Sequence, residues 1–173
     1  MNTRVLAVLS LLVGIGTVFH AITPGVFLGM KPDMQLAMMF LGILLFPKVK
    51  YVFLLSMVTG LLSALTTTVP GGQISNIIDK PITAFAFLGL YLFLTKYAKD
   101  VIAAPVVAAV GTLISGAIFL TVALYIVGLL EGAFLALFTL VVLPATVANT
   151  VIILVLYPIL QTIMKRSSVS LQA

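Results

Sequence analysis

The sequence predicts an all-α membrane protein, a bundle of six transmembrane helices with both termini in the cytoplasm. Three observations predict it. Hydrophobic residues fill 62% of the 173 positions and charged residues only 8%, too little charge for a domain that faces water. The apolar residues gather in runs near the roughly 20 residues that cross a bilayer as a helix. The basic residues fall in alternate connections between those runs, which is the pattern of a positive-inside topology. The length allows one integral membrane domain, residues 1–173, and neither a linker-like stretch nor an internal repeat divides it. A net charge of +5 would raise nucleic acid as a partner for a soluble chain. Here the basic residues read as topology signals, and no nucleic acid is expected. Without cysteine the chain has no disulfide, no thiolate nucleophile and no sulfur metal site.

The segments follow in order. Val5–Ile22 begins like a secretory signal, but its apolar run reaches Ile22 and no A-x-A site follows, so it is expected to stay as a membrane helix. Asp33–Phe46 is short, and Val26–Leu28 could extend it across the Lys31-Pro32 interruption. Tyr51–Val69 has spanning length. Pro81–Thr95 is short again, with Pro81 suited to a first helical turn. Val101–Val127 is long enough to tilt, and Gly132–Met164 is longer still, with Pro144 a candidate kink and Pro158 near its end. Six spans place Arg4, Lys48, Lys50, Lys96, Lys99, Lys165 and Arg166 inside and only Lys31 and Lys80 outside. A five-span reading would break that partition. Asp33, Asp79 and Glu131 also fall outside, with Asp100 the inner exception beside Lys99. The polar, functional face therefore points outward.

The most polar stretch is Thr66 to Lys80, TTTVPGGQISNIIDK, set in an almost wholly apolar chain. Pro70-Gly71-Gly72 is a turn signal. Gln73, Asn76, Asp79 and Lys80 follow it as candidate binding residues, since ionisable groups at membrane depth face the bundle interior and mark functional sites. Asn76 and Asp79 are three apart and can share a helix face. Asp79 before Lys80-Pro81 also has the form of an N-cap, and capping can coexist with ligand binding. The first outer connection, His20 to Asp33, is broken by Pro24, Gly25, Gly29 and Pro32 yet rich in apolar side chains. It reads as a lid over the bundle mouth, or else as a loop on the headgroups anchored by Lys31 and Asp33. Glu131 reads chiefly as a helix-start charge. Asn149, near mid-membrane, is either an interhelical hydrogen bond, worth about 0.6 kcal/mol in such interiors, or a ligand contact. Thr112 and Ser115 could face the same cavity but, between Gly111 and Gly116, read more as a close-packing seam. His20 alone is a poor metal site, and no metal or cofactor is expected.

Catalytic motifs are absent: no H-E-x-x-H, no G-x-S-x-G, no phosphate-binding loop. The chain is not expected to be an enzyme, although a membrane enzyme using Asp33 and Asp79 is the alternative from a different class. Six short helices, an apolar first loop and an outward polar cluster resemble the substrate-binding S components of energy-coupling factor (ECF) transporters. The runs HAITPGVFLGMKPDM, LSALTTTVPGGQISNIIDKP and VLPATVANT are similar to the bacterial tryptophan transporter family (TrpP), and the similarity extends from the first helix to Pro158.

That resemblance implies uptake of L-tryptophan across the bacterial cell membrane and an S-component-like fold. In such a fold the first loop, the last three helices and the outer loops enclose the ligand. It also implies, as partners, an ECF transmembrane coupling subunit and ATPase subunits. Small residues four apart on the first helix serve that docking in many S components; here Ala7 is followed by Leu11, with Ser10 and Gly14 as possible substitutes. For zwitterionic tryptophan, Asp79 or Asp33 could take the ammonium, and Lys80, Lys31 or a helix N-terminus the carboxylate. Phe27, Met30 and Phe85 could flank the ring, and Asn149, Gln73 or Asn76 could accept the indole N–H. The runner-up is the same fold serving a vitamin or another aromatic compound.

Overall fold

A computed structural model describes residues 2–24, 31 and 33–166. Six helical elements follow one another: α1 (Thr3–Ile22), α2 (Met34–Leu45), α3 (Val49–Thr66), α4 (Gly72–Leu94), α5 (Asp100–Val127) and α6 (Phe134–Arg166). Five of them are long and apolar enough to cross a membrane, and α2 is the shorter apolar helix. At 12 residues, α2 spans about 18 Å, less than the hydrocarbon core of roughly 30 Å. Its position explains why that suffices. Every residue from Gln35 to Leu45 is buried, and α2 packs against α1, α3, α4, α5 and α6. A helix that is apolar all round belongs inside the bundle, and the other five helices carry the lipid-facing surface.

Lipid gives apolar side chains no reason to leave it, so helices associate where small residues let backbones approach. Gly60 of α3 lies against the Asn76–Lys80 turn of α4, where a Cβ would sit 3.3 Å from the Asn76 carbonyl. Gly111 of α5 lies beneath Phe87 and Phe40, whose rings stack at 4.1 Å. Gly116 lies against Val142 of α6. The α5–α6 contact is irregular as well as close. Val122–Val127 at the end of α5 and Phe138–Val142 near the start of α6 are π-helical, a form found mostly as short bulges, frequently at functional sites.

Several boundaries differ from the sequence reading. The main correction concerns α4, which begins at Gly72, not at Pro81. Gly71 supplies the left-handed conformation (φ 73°) that starts it, and Thr67 Oγ1 closes the preceding turn on the Val69 amide at 3.2 Å. Pro81 therefore lies inside the helix, at the cost of the hydrogen bond that its missing N–H would have given the carbonyl four residues earlier. Asp79 is no N-cap, and Gln73 to Lys80 form the first turns of a helix rather than a connection. Helix α3 ends at Thr66, not Val69, and α6 begins at Phe134, leaving Glu131 in the turn before it and outside its first turn. Pro144 lies two residues past the π-helical segment, and the last helix departs from regularity before it, over Phe138–Val142. The lid reading of the first loop, and the extension through Val26–Leu28, fall on residues 25–30 and 32, outside the described residues.

Candidate ligand cavity and family

The ends of α1 and α3 and the starts of α2 and α4 meet at one end of the bundle, the end that the charge partition assigns to the outside. A cavity opens there, charged and polar on one side and apolar on the other. One wall is charged. His20, in the last turn of α1, is buried, with Nδ1 3.6 Å from Asp33 Oδ1. Asp33 caps α2, accepting from the Leu36 amide at 3.0 Å. Lys80 of α4 is only 1% exposed and donates to both Asp33 Oδ2 and Asp79 Oδ2, the latter at 2.8 Å. Lys31 donates to the Thr66 carbonyl at the end of α3 at 3.2 Å. Burial lowers the Lys31 pKa below its ordinary value, and the Asp33 carboxylate opposes that shift.

Asp79 sits behind this wall and does not line the cavity. Fully buried, it accepts from Lys80, from Thr83 Oγ1 at 2.6 Å and from Ser115 Oγ at 2.7 Å. Removing one partner of a buried pair leaves an uncompensated charge and costs about 3–5 kcal/mol; these three donors are what makes a buried carboxylate tenable here. The contacts form a continuous path from α1 through α2 and α4 to α5. Asn76 joins α3 to it, with Nδ2 on the Gly72 carbonyl at 2.9 Å and the Ser63 carbonyl at 3.4 Å.

The opposite wall is apolar: Phe119 and Leu120 of α5, Val141, Val142 and Ala145 of α6, with Leu36 and Val69 beside them. At its deep end lie Thr112, Ser115 and Asn149. Counting 1.5 Å per residue from the outer ends of α5 and α6, Thr112 and Asn149 lie about 22 Å in, near mid-membrane. Asn149 Nδ2 donates to Thr112 Oγ1 at 3.3 Å. Thr112 and Ser115, read mainly as a packing seam, thus do both jobs: they line the cavity while Gly111 and Gly116 on the same helix provide the close approach.

Of the sequence-predicted site residues, the cavity brings together His20, Lys31, Asp33, Asn76, Lys80 and Asn149, with Asp79 one layer behind. Gln73 and Phe85 are exposed on the outer face of α4 and do not line it. Phe27 and Met30 lie outside the described residues. The apolar wall was missed, although its signal was present. Val142 and Ala145 precede Asn149 by seven and four residues, and Phe119 follows Ser115 by four, so same-face spacing would have found them.

The model of the family described as "Tryptophan transporter TrpP" matches residues 2–165. The chain belongs to that family. A relative from Bacillus subtilis (strain 168), described as "Probable tryptophan transport protein", is 53% identical over 168 residues, covering 97% of this chain and 96% of its own. A relative of the same description from Clostridium acetobutylicum is 46% identical, covering 88% of each chain. One from Clostridium perfringens is 38% identical, covering 96% of each. No solved structure matches. Membership of this family and the five spanning-length helices make the chain a multi-pass protein of the bacterial membrane.

Proposed function

We propose that this chain binds L-tryptophan in the outward cavity and serves its uptake into the cell. The observation that carries this reading is the pairing of a charge-balanced wall with an apolar one. Lys31, Lys80, Asp33 and Asp79 sum to zero with His20 neutral, so the wall suits a ligand carrying one charge of each sign. Lys80 spends two of its three ammonium hydrogens on the aspartates, and the third is available to a carboxylate. Asp33, partly exposed, is the acid placed to meet an ammonium, whereas Asp79 is saturated and serves to hold Lys80 and Ser115. The indole packs against Phe119, Leu120 and the α6 valines, where its large apolar surface is the main source of affinity. The family and the naming of three relatives support tryptophan over a vitamin.

The zwitterion requirement is tested by calorimetry on purified protein with L-tryptophan, tryptamine and indole-3-propionate. Each analogue lacks one charge and forfeits one charge-assisted hydrogen bond to the wall, which should weaken binding by roughly tenfold or more. Equal binding of all three would remove the charged wall from the site.

As partners, the ECF coupling and ATPase subunits belong to the same proposal. Ala7, Ser10, Leu11 and Gly14 form one exposed stripe on α1, the face that a coupling subunit would meet. Co-purification of a tagged copy from its native membrane should recover ATPase subunits. Recovery of the chain alone, still active in uptake, would make it a self-sufficient permease.

A further inference from the structure

We infer that the Asn149 side-chain oxygen is the acceptor for the indole N–H and sets the selectivity of the cavity for indole over other bicyclic rings. The inference rests on the reading of the cavity as a tryptophan site.

The argument begins with hydrogens. Thr112 has one hydroxyl hydrogen, and it is spent on the Ala108 carbonyl at 2.8 Å. Towards Asn149, Thr112 Oγ1 can therefore only accept. This fixes the orientation of the Asn149 amide: its NH₂ must face Thr112, as the 3.3 Å contact has it, and its carbonyl oxygen must point elsewhere. That oxygen is fully buried and has no hydrogen-bond partner among the described residues. Asn149 lines the cavity, so the missing donor is one that a ligand can bring.

The neighbouring groups decide which donor. Ser115 has already given its hydroxyl hydrogen to Asp79. With Thr112 and Ser115 both committed, the deep end of the cavity offers acceptors and no free hydroxyl hydrogen. Apart from the second N–H of the Asn149 amide it has no donor and no cation, so it suits an N–H better than a carboxylate. Tryptophan has two kinds of N–H, and the ammonium has a better partner in the Asp33 carboxylate on the charged wall. The indole N–H remains, carried on a flat ring between the apolar side chains that precede Asn149 on its own helix face, Val142 and Ala145. A buried acceptor left without its donor costs about 1–3 kcal/mol, and a site built around such a bond rejects analogues that lack the donor.

The test compares L-tryptophan with 3-benzothienyl-L-alanine, which has sulfur in place of the N–H and nearly the same shape, by calorimetry on the purified wild-type chain and on Asn149→Leu. The wild type should prefer tryptophan by about 10- to 100-fold, the factor that an unpaired buried acceptor implies. Asn149→Leu should bring the two ligands within about threefold of each other, through weaker tryptophan binding and stronger binding of the sulfur analogue. Equal binding of both ligands by the wild type overturns the inference while leaving the tryptophan site standing, and it needs no variant to fold. A preference that survives in Asn149→Leu overturns it too. No binding of tryptophan to the wild type overturns the proposed function itself.

Discussion

The buried acid–base pair Asp79–Lys80 was the most legible feature of the chain and also the one whose parts changed roles. In the sequence both residues stand out because ionisable groups are rare in so apolar a chain. What one dimension cannot show is which of two adjacent charges faces the cavity. Successive residues on a helix point about 100° apart, and once α4 begins at Gly72 the two diverge: Lys80 lines the cavity and Asp79 turns to Thr83 and Ser115. Asp79→Asn should therefore act first on stability. It weakens the hold on the buried Lys80 ammonium, and the cost of breaking such a pair is about 3–5 kcal/mol, read as a clear fall in melting temperature in detergent. Glu131→Gln, at an exposed position, should leave the melting temperature unchanged. Equal effects would place Asp79 outside the structural network. Asn149 was legible as a polar group at depth but not as a free acceptor, because its open oxygen depends on how Thr112 spends one hydrogen.

Among the elements, α2 and α4 diverged most from hydropathy reading. The span of α2 was legible from its apolar run; its place at the centre of the bundle was not, since composition alone cannot separate a lipid-facing helix from a buried one. Helix α4 was read as starting at Pro81 because proline favours first turns. Packing against Gly60 of α3 carries the helix through it instead, as neighbouring helices allow in membranes. The α5–α6 contact gives a test at this scale. A methyl at Gly116 would run into Val142, so Gly116→Ala should force the helices apart, lower stability by about 1–3 kcal/mol and weaken tryptophan binding with it. Gly14→Ala on α1, where nothing lies within 4 Å, should be neutral or stabilise by roughly 0.5–1 kcal/mol through helix propensity. Thermal unfolding of the two variants side by side checks the contrast, and a neutral Gly116→Ala would mean that the two helices have room to give.

At the scale of the whole molecule, the alternation of basic connections agrees with the six helices and sets an expectation for their direction, because charge in short loops acts independently of packing detail. The cavity was only half legible: its polar residues stand out against the chain, and its apolar wall is camouflaged by it. The orientation can be checked directly, since the chain has no cysteine. A membrane-impermeant maleimide should label Glu131→Cys in intact cells and Tyr97→Cys, at the opposite end of the bundle, only after permeabilisation; the reverse pattern would invert the topology and put the cavity inside. The central claim is that tryptophan sits in the space between the charged wall and α6. The chain contains no tryptophan, so ligand fluorescence can be followed without background from protein indole. A titration of purified protein with L-tryptophan should saturate for the wild type and should lose its saturable component in Ala145→Phe, which fills the apolar side of the cavity without touching a charge. Saturable binding of undiminished affinity in a folded Ala145→Phe protein would contradict the account.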